Sequence, residues 1–162
     1  TALVGCRQEP PSVAGPALPP GYAARFDDVR FVRLRPDGSL VEGFAGRGLA
    51  DDKQDELQLQ QVLAVARLAS GKSHLFAAQT ARLHRAQAVA ELSGGAVLSL
   101  PNARWLTAPA LHVDERTQQA RGPGPVTVNG PDVVIQGDGP FQADLATGSV
   151  DIEGPVAIDV LE

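Results

Sequence analysis

Aromatic side chains are scarce in this chain: five Phe, one Trp and one Tyr make up 4% of 162 residues. Since 43% of the residues are hydrophobic, a core has to be built from Val, Leu, Ile and Ala. One cysteine is present, so no intramolecular disulfide can staple the fold. No apolar run approaches the roughly 18 residues of a membrane-spanning helix. The formal charge is -5 and the basic residues are scattered, without the clustered, aromatic-interleaved Lys/Arg of a nucleic-acid surface. No Gly-x-Ser-x-Gly, phosphate-binding loop or dinucleotide fingerprint occurs. His74, His84 and His112 stand 10 and 28 positions apart, which fits no compact metal-ligand spacing. Asp27-Asp28 and Asp51-Asp52 are adjacent acids that would point to opposite faces of a strand, so they read as turn or solvated residues. Neither an enzyme nor a metal or cofactor site is expected.

What is present is alternation. Val133, Ile135, Gly137, Gly139, Phe141, Ala143 and Leu145 share one phase, with Asp132, Val134, Gln136, Asp138, Pro140, Gln142 and Asp144 between them. After a turn at Ala146-Thr147-Gly148 the pattern resumes in the other phase through Val150, Ile152, Gly154, Val156, Ile158 and Val160. A period of two on both sides of a turn predicts long antiparallel strands with one apolar face. Pro36-Asp37-Gly38 predicts a hairpin turn between strands over Phe26–Arg35 and Leu40–Ala45. Glu115-Arg116 predicts another between Trp105–Asp114 and Thr117–Val128. Pro109 should interrupt the first of that pair with a bulge, because Leu106 and Ala108 lie on one phase and Leu111 and Val113 on the other. Trp105 reads as a strand-end anchor.

A short phrase recurs as Gly95-Ala96-Val97, Gly124-Pro125-Val126 and Gly154-Pro155-Val156, its valines 29 and 30 positions apart. It suggests stacked rungs of about thirty residues, as in a β-solenoid or an elongated jelly roll. Pro125 and Pro155 remove ladder donors, so these points belong at an edge or a bulge. In the middle, Asp55–Leu68 and Ser73–Leu92 have helix-favouring composition. A period-two reading also holds there: Leu75, Ala77, Ala81 and Leu83 on one face, Ala86, Ala88, Ala90, Leu92, Ala96, Leu98 and Leu100 on another. Strands continue the pattern on both sides and are preferred, a helical hairpin over residues 52–93 being the alternative.

At the other end, Thr1-Ala2-Leu3-Val4-Gly5-Cys6 resembles the lipobox of bacterial lipoprotein signal peptides. The chain starts at Thr1 and not Met, and an upstream segment is expected to have been trimmed. The resemblance implies that residues 1–5 are removed and that Cys6 is acylated, giving a stable membrane anchor. Arg7 to Gly21, with Pro10, Pro11, Pro16, Pro19 and Pro20, reads as an extended tether. The expected division is residues 1–25 as signal remnant and tether, and 26–162 as one folded domain.

The order of motifs resembles the LptC family of lipopolysaccharide-transport proteins, within the LptA/LptC/OstA-like β-jelly-roll superfamily. The resemblance runs from about Val29 to Ile158. It is carried by Arg35-Pro36-Asp37-Gly38-Ser39-Leu40, Phe76-Ala77-Ala78-Gln79-Thr80-Ala81, Trp105 through Asp114, Gly124-Pro125-Val126-Thr127-Val128 and Gln136-Gly137-Asp138-Gly139-Pro140-Phe141. The familiar member has an N-terminal transmembrane helix, where this chain has the lipobox-like cysteine. The resemblance implies an all-β, twisted and open antiparallel jelly roll in the periplasm, lipid-anchored to the inner membrane of a Gram-negative bacterium. Its groove would shield lipopolysaccharide acyl chains, passing them from an inner-membrane ABC transporter to the next jelly-roll protein. Groove residues are expected at Leu83, Leu98, Leu106, Leu111, Val126, Val133, Ile135, Phe141, Leu145 and Ile152. Partners, the jelly-roll domains of the transporter and of an LptA-like protein, would continue the sheet edge to edge at Val29, Phe31, Val156 and Ile158. The competing function is a membrane-tethered scaffold whose sheet binds only protein.

Overall fold

A computed structural model describes residues 17–51 and 55–161. Twelve strands and no helix form among them: β1 Ala24–Leu34, β2 Leu40–Asp51, β3 Glu56–Arg67, β4 Ser73–His84, β5 Val89–Leu100, β6 Arg104–Asp114, β7 Gln119–Gly122, β8 Val126–Asn129, β9 Val133–Gly137, β10 Phe141–Asp144, β11 Val150–Ile152 and β12 Val156–Val160. Strands therefore occupy the stretch where helix propensity was high. Pairing on both flanks outweighs propensities worth only tenths of a kcal/mol per residue. The fold is the open, unclosed antiparallel sheet expected of a jelly roll. Cys6, Pro10, Pro11, Pro16 and Asp52 lie outside the described residues.

The sheet runs β1-β2-β3-β4-β5-β6 and then divides. The C-terminal half of β6 pairs with β7, followed by β10 and β11, while its N-terminal half pairs with β8, followed by β9 and β12. This branching follows from a crease that crosses β1 to β6 and separates the shorter strands after them. The β1–β2 register omits Asp28 opposite Gly46, β2–β3 omits Gly46 opposite Gln61, and β3–β4 omits Gln61 opposite Gln79. The β4–β5 and β5–β6 registers shift at Gly94-Gly95, opposite Pro109. Asp28 and Gln61 have φ of 51° and 56°. At Asp28, Gly46, Gln61, Gln79 and Pro109 one residue is left out of the ladder and the side-chain phase inverts; in β5 two glycines are left out and the phase is kept; either way the same face stays apolar.

The two halves of each strand thus become two layers facing one another across the core. The upper layer holds residues 29–34, 40–45, 62–67, 73–78, 96–100 and 104–108 with β8, β9 and β12. The lower layer holds residues 24–27, 47–51, 56–60, 80–84, 89–93 and 110–114 with β7, β10 and β11. Inward rows run continuously across neighbours. One is Gly48, Leu59, Ala81, Leu92 and Leu111, and its continuation is Gly122, Phe141 and Ile152. Leu98, Leu106 and Ala96 of the upper layer are fully buried, as are Ala120 and Ala143 of the lower.

The recurring Gly-x-Val phrase marks this crease. Gly94-Gly95 bends β5, Gly124-Pro125 links β7 to β8, Gly139-Pro140 links β9 to β10, and Gly154-Pro155 links β11 to β12. Gly139 must be glycine, because a Cβ there would run into the Glu153 carbonyl. Gly124, at φ +86°, abuts the Asp138 and Gly139 carbonyls.

Three expectations are corrected. Thr117–Val128 is not one strand: Thr117 and Gln118 are in the turn, and Pro123-Gly124-Pro125 breaks the remainder into β7 and β8. Pro109 does not end β6, which runs unbroken, but the expected bulge and change of phase are there: the β5–β6 register shifts where Pro109 lies opposite the paired glycines, and no N–H is required. Leu75 and Ala77 do not share a face with Ala81 and Leu83, since the phase inverts at Gln79, and Ala86 and Ala88 fall in the β4–β5 turn.

Candidate functional site

Inward-facing residues at the centre of this fold are short. Ala64, Ala66 and Ala90 face Leu57, Val62, Phe76, Leu83, Leu92, Val113 and Leu145. Packed sheets stand roughly 10 Å apart, which a wall of alanines cannot fill from both sides. A cavity of about 380 Å³ remains between the layers, toward the lip opposite the crease. Its composition is apolar apart from one end and one wall residue. His74, 1% exposed, places Nδ1 3.0 Å from the Ser99 carbonyl oxygen, which only accepts, so Nδ1 carries the proton. Its Nε2 is buried with no partner among the described residues.

The polar end lies at the lip. Arg33 closes the inward phase of β1 after Val29 and Phe31, and Arg35 follows the strand. Both guanidinium groups reach the same Oε2 of Glu115, in the β6–β7 turn of the opposite layer, Arg33 at 3.4 Å and Arg35 in closer contact. Arg33 also donates to the Arg85 carbonyl at 3.2 Å, and Arg35 to Ser39 Oγ at 3.4 Å. Burial pushes the Glu115 carboxyl above its ordinary range, against the opposing pull of Arg35 and then Arg33. Nearby, Lys72 of the β3–β4 turn donates to the Ala146 carbonyl at 2.7 Å, a second polar tie between the layers.

The expected groove residues all face inward, in three environments. Leu98, Leu106, Leu111, Val126, Phe141 and Leu145 are buried in the core. Leu83, Ile135 and Ile152 are partly buried against it, and Val133 is half-buried on β9. Leu83 and Leu145 line the cavity itself. The edge residues Val29 and Phe31 lie on β1, which among the described residues pairs only with β2. Val156 and Ile158 lie on β12, which pairs only with β9, and there Val156, Ile158 and Val160 are 43%, 62% and 74% exposed although they have the inward phase.

Sequence reasoning missed Arg33, Arg35, Glu115 and His74. One signal was available: Arg33 is a charge in the apolar phase of Val29 and Phe31. Glu115, read as a turn residue, offered none.

A larger depression, about 1000 Å³, lies on the outer face of the lower layer, along Gln58, Arg82, Glu91, His112, Arg121, Gln142 and Asp151. It is open and mixed in polarity, and its cations are largely engaged: Arg47 with Asp27 at 3.3 Å and Arg82 with Glu56 at 3.1 Å. His84 stands between Glu56 and Glu91, at 4.0 and 3.9 Å. No group of three or more metal-ligating side chains forms among the described residues. The inter-layer cavity is the better candidate, because it pairs apolar walls with a few convergent polar groups.

A family model described as lipopolysaccharide-assembly, LptC-related, matches residues 22–158. No curated protein matches the chain significantly.

Proposed function

Because the chain belongs to the LptC-related family of lipopolysaccharide-assembly proteins, matched over residues 22–158, we propose that it carries the lipid part of lipopolysaccharide between its two layers. Membership itself assigns it to lipopolysaccharide transport at the Gram-negative envelope, on the periplasmic side, in a family of transport components and not of enzymes. The finer reading is a bridge. Acyl chains enter the inter-layer cavity from a jelly-roll domain of the inner-membrane ABC transporter and leave toward an LptA-like protein. Edge strands β1, β11 and β12 are continued by those neighbours, and an acylated Cys6 holds the domain at the inner membrane.

The observation that carries the reading is the apolar cavity walled by Ala64, Ala66 and Ala90, within a sheet whose last strand still presents apolar side chains inward. One fully buried ~12-carbon chain would be held by roughly 10 kcal/mol, at ~0.8 kcal/mol per CH₂. Such a grip would stall transfer, so an open lip and partial burial suit a conveyor.

The test is in-cell photocrosslinking from a probe at Leu83, in the cavity wall, with Gln142 on the outer face as control. A lipopolysaccharide adduct at Leu83 alone is expected. Protein adducts only, in a folded and expressed chain, would favour the membrane-tethered scaffold.

A further inference from the structure

The two arginines at the lip are matched by one carboxylate, and the donors outnumber what it uses. Arg33 and Arg35 both converge on Oε2 of Glu115. Arg35 Nε is buried with no partner among the described residues. The adjacent Arg85 is occupied by Asp55 at 2.8 Å. A planar guanidinium pair of this kind matches an anion with several acceptor oxygens better than it matches one carboxylate oxygen. Position adds a second argument. Arg33, Arg35 and Glu115 all line the apolar cavity, at its lip. An amphiphile with its chains between the layers has to leave its headgroup there.

We infer that Arg33 and Arg35 form a subsite for the phosphate of an anionic amphiphile, with Glu115 serving as the internal anion that the phosphate displaces. The inference rests on the lipid-carrier reading and adds to it a headgroup specificity and a gate. Arg33 and Arg35 belong to β1 and its turn, Glu115 to the opposite layer, so exchanging one anion for the other unties the lip as the ligand seats. The raised protonation range of Glu115 supports this, because a carboxylate that burial disfavours is a weak competitor for the arginines.

The experiment measures binding of bis-phosphorylated lipid A, the same lipid after enzymatic dephosphorylation, and inorganic phosphate alone. The unaltered chain should hold the phosphorylated lipid roughly tenfold tighter, the lower end of what a charge-assisted hydrogen bond contributes. The Arg33→Gln, Arg35→Gln double variant should bind both lipids alike, at the affinity of the unaltered chain for the dephosphorylated one. Arg35→Lys, paired with native Arg33, should keep part of the preference. Glu115→Gln, an independent check that leaves both arginines in place, should tighten the phosphorylated lipid alone. A preference that survives in the double variant overturns the subsite. Displacement of the lipid by inorganic phosphate at similar concentration makes the pair a free-anion site and overturns the lipid assignment. Failure of the unaltered chain to bind either lipid overturns the carrier reading beneath it.

Discussion

Arg33 and Glu115 are 82 positions apart in sequence, yet Nη1 of one lies 3.4 Å from Oε2 of the other, tying the first strand to the far layer. The tie is half exposed on the arginine side, so its worth to folding is small. Glu115→Gln should leave the melting temperature within about 3 °C of the parent. It should nevertheless speed amide exchange of Val32 to Leu34 by about tenfold, since the lip opens locally. Unchanged exchange would mean that the layers are held by packing alone.

Acid should act on the same contact. With its folded-state value raised, ionised Glu115 lowers stability at high pH. That penalty shrinks as pH falls through the raised value and is gone below the ordinary carboxylate value. Mild acid therefore stabilises the folded chain through this group, while it discharges the partner of Arg33 and Arg35. Asp37, Asp114 and Asp144 behave oppositely: hydrogen bonds from Ser39, Thr117 and Thr147 head the causes that lower them. Their contributions persist above the unfolded carboxylate value and fade only as pH falls through their lowered values. Carboxyl-carbon NMR titration should show Glu115 protonating first, and the reverse order would contradict this account.

The crease glycines should differ sharply. Gly139→Ala drives a methyl into the Glu153 backbone and should cost about 3 kcal/mol in urea denaturation. Gly95→Ala meets open space, and only its φ of +88° resists, so about 1 kcal/mol is expected. Equal losses would deny the close approach of the two crossing loops.

Core and cavity wall should separate in the same way. Leu98→Ala, at a fully buried site, should cost about 2–5 kcal/mol. Leu83→Ala, partly buried beside existing space, should cost less and enlarge the cavity, so a bulkier acyl chain binds better. Thermal denaturation and lipid titration together check both.

At the open edge, Ile158 is 62% exposed and contributes little to this domain's own core. Ile158→Asp should change folding stability by no more than about 0.5 kcal/mol. On the proposed edge-to-edge reading it should abolish association with a jelly-roll partner in a pull-down from envelope extracts. Retained association would move the partner surface to β1 or β11.

Much of this architecture was legible where glycine and proline punctuate it. From Val133 to Leu145, and again from Val150 to Val160, the alternation passes through Gly139-Pro140 and Gly154-Pro155 without a change of phase, so the inward residues were readable one by one. In β1 to β4 the same crease is occupied by Asp28, Gly46, Gln61 and Gln79, three of them ordinary polar residues. A phase inversion at a glutamine has no sequence mark, which is why Leu75 and Leu83 were placed together and lie on opposite faces. The helix-like composition of β3 and β4 misleads locally because pairing on both flanks decides the outcome. The lip was illegible for another reason: two arginines and a glutamate separated by eighty positions meet only once the sheet has folded back on itself.

The crease also sets how the molecule yields. β2 to β6 pass through it as unbroken backbone, each strand a stiff rib in a common spine. Beyond β6, among the described residues, the backbone crosses between the layers at the Gly-Pro connections after β7, β9 and β11 and nowhere else, side-chain contacts such as Lys72 with the Ala146 carbonyl adding to them. Covalent ties between the layers therefore thin out along the spine toward the C-terminal end, where Ile152 of β11 still packs against Gly137 of β9. On the proposed carrier reading, a cargo between the layers would meet fewer backbone ties in that direction, toward the end where the next domain would attach.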